Sequence, residues 1–240
     1  MTGKRIVIVG ASSGIGSVLA TLLAAKGNAL GITGRRGALL YELKNKYPGN
    51  IYVSSFDIQE THTCPGYLEE LVQQMGGLDL LIISAGNGEV NEALDFSVEN
   101  EMIALNVCGF TCVADWAFNY FLQQGYGHLV AITSLAGLRG SRQAPAYSAT
   151  KAYQIRYLES LRQKAFHLQK EIIVTDICPG FVDTPMAKSP VKFWVAPVEK
   201  AAKQIVQAID RRKNTAYITR RWQIIAWIYR YLPDFIHKRL

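Results

Sequence analysis

The sequence predicts a single α/β domain built on a doubly wound parallel sheet. Short apolar runs of strand length alternate with longer segments of helical periodicity along nearly the whole chain. Parallel strands need crossover helices, so this alternation favours helices on both faces of one sheet. With 240 residues and 49% hydrophobic content, the chain is long enough and apolar enough to bury one sizeable core.

The first strand, KRIVIVG, runs directly into a glycine-rich turn. Gly10 permits the tight turn, Gly14 lets the backbone approach a phosphate, and Gly16 allows the next helix to pack closely on the strand. The unpaired N–H groups at the start of that helix, SVLATLLAAKG, would then face an anion. This strand, turn and helix predict a site for the pyrophosphate of a dinucleotide.

The end of the second strand, NALGITGRR, indicates which nicotinamide cofactor fits. An acidic residue there would bond a ribose 2′-hydroxyl and repel a 2′-phosphate, whereas here Gly34 is followed by Arg35 and Arg36. A solvated pair of arginines is the alternative, but cations are poorly placed at the positive start of a helix. We therefore expect a preference for NADP, with the Ser12 hydroxyl adding to the phosphate site.

The third and fourth strands are GNIYVSSFDI and LDLLIISAG, and a long helical segment follows from about Val98 to Leu122. Asn106 lies in the middle of that segment. Asparagine is mildly unfavourable inside a helix, so either it caps a kink or its amide has a function. Cys108 and Cys112 are four residues apart without partner ligands, and we interpret them as core residues.

The fifth strand, HLVAITS, ends at Ser134, and the next helix begins near Pro145. Tyr147 and Lys151 are four residues apart in this helix and therefore project from one face. A fixed ammonium beside a phenol of pKa ~10 favours the phenolate and lowers that pKa, at about 1.4 kcal/mol per unit. An ordinary half-exposed helix face and a turn serine are the alternative interpretation.

Ser134, Tyr147, Lys151 and the glycine-rich turn together resemble the short-chain dehydrogenase/reductase family. The resemblance covers nearly the whole chain and implies a Rossmann-type fold. Two positions depart from the family pattern, because Val9 stands where Thr is common and Ser84 replaces the Asn of an Asn-Ala-Gly run. We expect the first change to be tolerated and the second to affect local stability and not the chemistry.

The resemblance implies a role for each catalytic residue. Tyr147 would be the general acid/base, Ser134 would steady the substrate oxygen, and Lys151 would hold the nucleotide ribose. Asn106 would bend its helix and hold a water that links the lysine to solvent, which would relay the replacement proton. The reaction implied is hydride transfer between a nicotinamide and a carbonyl or secondary alcohol.

The remaining assignments that the resemblance implies concern the cofactor, NADP. Asp57 would contact the adenine amino group, with Ile58 against the ring, although a turn or N-cap role is the alternative for Asp57. Backbone at Val182 and the hydroxyl of Thr184 would orient the nicotinamide carboxamide. The full set assigned to the cofactor is Gly10, Ser12, Ser13, Gly14, Ile15, Gly16, Arg35, Arg36, Asp57, Ile58, Ala85, Gly86, Tyr147, Lys151, Pro179, Gly180, Val182 and Thr184.

The last third of the chain completes the predicted sheet. EIIVTDICPG is a sixth buried strand, VEKAAKQIVQAIDRRK an amphipathic helix, and NTAYIT a short final strand. Before that helix, residues 185–198 are rich in proline and mixed apolar residues, which is typical of a flexible lid over a substrate. Phe193 and Trp194 would line the lid and favour a partly apolar substrate.

The formal net charge of +7 lies entirely in the C-terminal tail. Residues 1–210 contain 18 Lys/Arg and 18 Asp/Glu, whereas residues 211–240 contain eight Lys/Arg and one acid, Asp234. Basic groups confined to a tail, without a recognised nucleic-acid module, argue against nucleic-acid binding. We divide the chain into a domain over 1–219 and a basic amphipathic helix over 220–240.

The apolar run Ile224–Tyr229 in this tail is far shorter than the ~20 residues of a membrane span. Packing on its own subunit, or on a partner in a homo-oligomer, is the favoured interpretation of the tail. Peripheral contact with a membrane surface, through aromatic residues and flanking cations, is the alternative.

The cysteines and histidines predict no disulfide, no metal site and no further catalytic residue. The cysteines have no CxxC spacing and no paired histidines, so we expect free, buried thiols, no disulfide and no metal. We expect surface histidines, and the short apolar run at the N-terminus favours a cytoplasmic protein over a secreted one. The residues concerned are Cys64, Cys108, Cys112, Cys178, His62, His128, His167 and His237.

These observations favour an NADP-dependent oxidoreductase that acts on a small-molecule carbonyl or alcohol. A nucleotide-binding regulatory protein without turnover is the alternative, and the presence of all four catalytic residues argues against it. An epimerase or dehydratase that shares the Tyr-x-x-x-Lys spacing is disfavoured by the chain length and by the glycine spacing.

Overall fold

Seven parallel strands form one sheet in the computed structural model, which describes residues 1–47, 49–186 and 193–239. The strands are β1 (Arg5–Val9), β2 (Ala29–Thr33), β3 (Ile51–Ser54), β4 (Leu80–Ile83), β5 (Tyr126–Ile132), β6 (Glu171–Pro179) and β7 (Thr215–Ile218). Their order in the sheet is β3-β2-β1-β4-β5-β6-β7, so the predicted doubly wound parallel sheet is confirmed. The order reverses between β1 and β4, which opens a crevice at the carboxyl ends of these strands.

Helices cover both faces of the sheet. They are α1 (Gly14–Ala24), α2 (Gly37–Lys46), α3 (Cys64–Met75), α4 (Phe96–Ile103), α5 (Phe110–Gln124), α6 (Pro145–His167), α7 (Val198–Asp210), α8 (Trp222–Tyr231) and α9 (Asp234–His237). On β1, Ile6 and Ile8 share a buried cluster with α1, α2 and α7, whereas Val7 and Val9 share one with α3, α5 and α6. Because both faces are covered, successive strand residues are apolar and the pattern does not alternate.

The predicted helix around Asn106 is a continuous helical run, Phe96–Gln124, with a π-helical segment, Ala104–Gly109, at its centre. Such one-turn widenings are frequent at functional sites. By length and composition this run resembles a membrane span, but half of its most apolar window is buried inside the protein. Phe110 and Phe118 in α5 belong to the buried cluster under the sheet, which accounts for the apolar composition.

Three predictions for single residues are wrong. His128 is buried, because β5 begins two residues earlier than predicted and places this side chain inside the sheet. Cys108 is exposed, because the buried side of the π-helical segment is formed by Leu105 and Asn106. His237 is half-buried, because its side of α9 lines the large cavity described below, while the other three residues of this helix are exposed.

The C-terminal segment 220–239 is two helices and not the single predicted one. Leu232 adopts an extended conformation between α8 and α9, with φ −64° and ψ 125°. The residue before a proline is disfavoured in the helical region, so Pro233 ends α8. Of the predicted lid, residues 187–192 lie outside the described residues.

Candidate active site

The carboxyl ends of the central strands open into one cavity of about 1450 Å³. Its walls also include the inner side of α8. Most of the predicted site residues line this cavity, and they are Gly10, Ser12, Ser13, Gly14, Ile15, Arg35, Arg36, Asp57, Ile58, Ala85, Gly86, Ser134, Tyr147, Lys151, Pro179, Gly180, Val182 and Thr184. Gly16 and Asn106 are not among the lining residues and lie behind them.

The glycine-rich turn has the close contacts that its sequence predicts. Gly10 has a φ of +91°, and a Cβ there would lie 2.4 Å from the backbone nitrogen of Ala85. A Cβ on Gly16 would lie 2.1 Å from the carbonyl oxygen of Gly10, so α1 could not pack this closely on β1 with any larger residue. These contacts fix the position of the α1 N-terminus at the cavity wall.

The N-terminus of α1 fits a phosphate group. Its first turn contains no acidic residue, and Ser13 at the N-cap position makes no side-chain capping hydrogen bond. The backbone N–H groups of the first turn therefore keep their positive partial charge toward the cavity. This is the arrangement that binds the pyrophosphate of a dinucleotide.

Two guanidinium groups and two hydroxyls meet next to this turn. Arg36 donates hydrogen bonds to the hydroxyls of Ser12, at 2.9 Å, and Ser13, at 2.6 Å. Arg35 forms an exposed ion pair of 3.5 Å with Asp57. The Asp57 carboxylate also accepts a hydrogen bond from the backbone N–H of Gln59 at 3.0 Å, which is the turn role weighed as the alternative for this residue.

Ser134 and Tyr147 contact each other across the cavity wall. Ser134 is the N-cap of a short 3-10 turn, Leu135–Leu138, where its hydroxyl accepts a hydrogen bond of 3.1 Å from the N–H of Ala136. It also hydrogen-bonds to Tyr147. Burial raises the pKa of Tyr147 above its ordinary value of 10, and the Ser134 hydrogen bond opposes that rise only in part.

Lys151 lies on the same face of α6 as Tyr147, as predicted, with its ammonium nitrogen 6.0 Å from the centre of the tyrosine ring. The side chain is only 3% exposed, and Nζ donates hydrogen bonds to Ile132 O at 3.2 Å and Gln154 Oε1 at 2.9 Å. Burial lowers the pKa of Lys151 to about 8, against the attraction of the buried Asp176.

The sequence argument expected Lys151, together with a positively charged nicotinamide ring, to lower the pKa of Tyr147, whereas in the protein by itself burial has the larger effect. Lys151 is buried and Tyr147 is half-buried in the cavity wall, and desolvation disfavours the phenolate and the ammonium alike. The pKa of Tyr147 is raised and that of Lys151 is lowered. At neutral pH, Tyr147 is therefore a protonated phenol and Lys151 is mostly an ammonium.

Asn106 ties the chain after β4 to the π-helical segment. Its Nδ2 donates to Asn87 O at 2.7 Å, and its Oδ1 accepts from Asn87 N at 2.9 Å. A second donation, of 3.1 Å, reaches Thr150 Oγ1 on α6. The proton relay expected for Asn106 stays a prediction.

Gln154 was missed by the sequence analysis. Its side chain is 1% exposed, and Nε2 donates a 2.8 Å hydrogen bond to the backbone carbonyl of Asn106. Since its Oε1 accepts from Lys151, this amide joins the lysine to the backbone of Asn106. The signal that could have found it is its i,i+3 spacing from Lys151 on one helix face.

The far wall of the cavity is apolar and partly basic. Phe193 lines it as predicted, whereas Trp194 packs on Trp222 and under the guanidinium of Arg221 and is not among the lining residues. The sequence analysis did not assign the other side chains of this wall, which include Leu135, Arg139, Phe181, Ile225, Tyr229 and Lys238. This wall suits an apolar substrate body.

Comparisons with known proteins agree with this geometry. Residues 4–193 match the family model of the short chain dehydrogenase. An uncharacterized oxidoreductase of Mycobacterium tuberculosis is 33% identical over 235 residues, covering 91% of this chain and 89% of that protein. One of Staphylococcus aureus is 30% identical over 219 residues, covering 89% of this chain and 94% of the relative.

Two solved structures show the same fold. The closed form of serine dehydrogenase complexed with NADP⁺ has a TM-score of 0.79 at 21% identity, covering 89% of this chain and 94% of its own. Serine dehydrogenase from Escherichia coli has a TM-score of 0.78 at 24% identity, and the match covers 89% of this chain and 96% of that protein. The family match and the sequence relatives therefore identify this chain as an oxidoreductase of the short-chain dehydrogenase/reductase family.

Proposed function

We propose that this oxidoreductase uses NADP(H) to reduce a carbonyl to a secondary alcohol or to run the reverse reaction, with Tyr147 as general acid/base. The main support is the meeting of Tyr147, Ser134 and Lys151 in the same cavity as the Arg36–Ser12–Ser13 cluster. One end of this cavity offers cations and hydroxyls for a phosphate, and the other offers a proton donor.

The proposed chemistry follows from the protonation states. NADPH, when bound, supplies the hydride for the carbonyl carbon. Tyr147 is protonated at neutral pH and donates its proton to the carbonyl oxygen, which the Ser134 hydroxyl steadies. The phenolate that remains is stabilised by the ammonium of Lys151, whose interaction with the phenol grows as the negative charge develops.

The substitution Tyr147→Phe tests the proposed acid. We expect carbonyl reduction by NADPH to fall by about 10²- to 10⁴-fold because the proton donor is gone. Binding of NADPH, followed by its fluorescence, should be unchanged. Tyr153→Phe, which changes an exposed phenol on the same helix, is the matched control and should keep full activity.

Retained turnover in Tyr147→Phe would remove Tyr147 as the acid. A panel of aldehydes and ketones assayed with the unchanged protein separates the two function classes. Saturable NADPH binding without oxidation of NADPH by any member of that panel would favour the regulatory binding protein over the reductase.

The cofactor preference is tested with Arg35→Asp. A carboxylate at this position would repel a 2′-phosphate and accept a hydrogen bond from a 2′-hydroxyl. We expect the ratio of kcat/KM for NADPH to that for NADH to fall by roughly tenfold or more, the value of one charge-assisted hydrogen bond. Arg156→Asp makes the same charge change on the exposed side of α6 and should leave the ratio unchanged. An unchanged ratio in Arg35→Asp would contradict the phosphate site.

Homo-oligomeric assembly and a cytoplasmic location are further parts of the proposal. Short-chain dehydrogenases/reductases act on small molecules and commonly form oligomers. Sedimentation velocity over a range of protein concentrations measures the assembly directly, and a single monomeric species throughout would contradict it.

A further inference from the structure

The helix α8 carries two apolar stripes on opposite sides. Trp222, Ile225, Ala226 and Tyr229 form the inner stripe, which is buried or half-buried and lines the cavity. With 3.6 residues per turn, a second stripe lies about 180° away on the helix surface. This outer stripe consists of Ile224, Trp227, Ile228 and Tyr231, all of them exposed.

The outer stripe is a concentrated apolar surface. Ile224 and Trp227 are 66% and 67% exposed, respectively. Phe235 in α9, after the break at Pro233, is equally exposed. Contiguous exposed apolar side chains on a helix indicate a contact surface, whereas single ones do not.

Cations flank this surface on both sides. Arg220 and Arg221 precede α8, Arg230 lies near its end, and Arg239 follows α9. All are exposed. The acid of the segment, Asp234, is paired with Arg139 at 2.6 Å and so does not neutralise them.

We infer that residues 220–239 dock this protein on an anionic lipid surface. An apolar stripe bordered by cations matches the boundary between acyl chains and anionic headgroups. A second copy of this chain is a poorer occupant, because in a twofold interface the same patch meets itself and its cations would face cations. Lipid phosphates supply the opposite charge.

The docked helix also separates lipid from the cavity by its own thickness, about 10 Å. Resting on the proposed reductase function, this placement makes the substrate class an apolar carbonyl compound that partitions into membranes. The apolar cavity wall formed by Phe181, Phe193 and Ile225 agrees with such a substrate.

Binding is tested by co-sedimentation of the full chain with vesicles of phosphatidylcholine, alone or mixed with phosphatidylglycerol. We expect binding to the mixed vesicles, weakened by salt, and at least a tenfold loss in the triple variant Ile224→Ser/Trp227→Ser/Ile228→Ser. Arg230→Gln/Arg239→Gln should weaken binding by roughly 30-fold. Tyr41→Ser/Phe166→Ser removes exposed rings elsewhere and should change nothing.

Three results would overturn this inference: no binding to either vesicle, unchanged binding of the triple variant, or loss of a dimer in that variant without vesicle binding. Turnover provides an independent readout, because the outer stripe does not line the cavity. The triple variant should reduce a water-soluble ketone at the unchanged rate and a vesicle-embedded long-chain ketone more slowly. Failure of both substrates in the unchanged protein would instead contradict the proposed reductase function.

Discussion

The side-chain amide of Gln154 accepts a hydrogen bond from the buried ammonium of Lys151 and so positions it. Lys151 has one backbone and one side-chain acceptor, and the side-chain acceptor is this amide. An amide, unlike a water, accepts at one end and donates at the other in a fixed direction. Gln154 is therefore a positioning residue that holds the lysine ammonium in place and does not itself line the cavity.

Replacing Gln154 should move the alkaline limit of activity. The ammonium of Lys151 is present below its pKa of about 8, so activity should fall as the pH rises past that value. In Gln154→Leu the ammonium loses an acceptor, and the alkaline limb of kcat/KM should move down by about one pH unit. In Gln154→Glu the ammonium gains an anionic acceptor, and the alkaline limb of kcat/KM should move to higher pH.

The opposite shifts distinguish this role from a merely structural one. A loss of packing alone would lower activity in both variants without moving the alkaline limb, and that result would contradict the assignment. Thermal unfolding of both variants, measured in parallel, gives the stability cost of removing the buried amide.

At the scale of elements, the pairing of β5 with β6 buries a titratable ring. His128 Nε2 lies 2.8 Å from Thr175 Oγ1 on the neighbouring strand. Burial and, to a smaller extent, the nearby Arg212 together lower the pKa of His128 to about 4. The native protein thus keeps this imidazole neutral, whereas the unfolded chain protonates it near pH 6.5.

This difference predicts an acid-sensitive stability. Because the unfolded state binds the proton more tightly, the free energy of unfolding should fall as the pH drops from about 7 to about 4. The contribution of His128 over that range is about 3 kcal/mol. Urea unfolding at several pH values measures this. The free energy of unfolding should fall less with decreasing pH in His128→Gln than in the unchanged protein. The control His62→Gln, at an exposed position, should behave like the unchanged protein. Parallel curves for all three would contradict the prediction.

At the scale of the whole molecule, Arg139 links the catalytic loop to the C-terminal segment. It follows the 3-10 turn that begins at Ser134, and it donates to Leu232 O at 2.9 Å and to Asp234 at 2.6 Å. This contact spans the cavity wall from the loop to the junction of α8 and α9. The position of α8 over the cavity therefore depends on a residue 93 positions earlier in the chain.

Arg139→Ala should loosen the C-terminal segment without unfolding the domain. Asp234 is 83% exposed, so the ion pair contributes less than about 1 kcal/mol to global stability. We expect hydrogen exchange in residues 222–239 to rise by about 3- to 10-fold, with a nearly unchanged unfolding midpoint. Arg156→Ala breaks an ion pair of equal length with Glu159 and is the matched control. Unchanged exchange in Arg139→Ala would show that α8 is held by its inner stripe alone.

The sequence by itself determined the α/β class, the strand and helix succession and the glycine-rich turn at Gly10, because these depend on local periodicity and on backbone freedom. It also placed Tyr147 and Lys151 on one face, since helical spacing is local. Only the tertiary structure decided the burial of His128, the exposure of Cys108 and the partner of Gln154. Each depends on contacts between residues distant in sequence, and the raised pKa of Tyr147 likewise reflects the partial shielding of the phenol from water by the assembled fold.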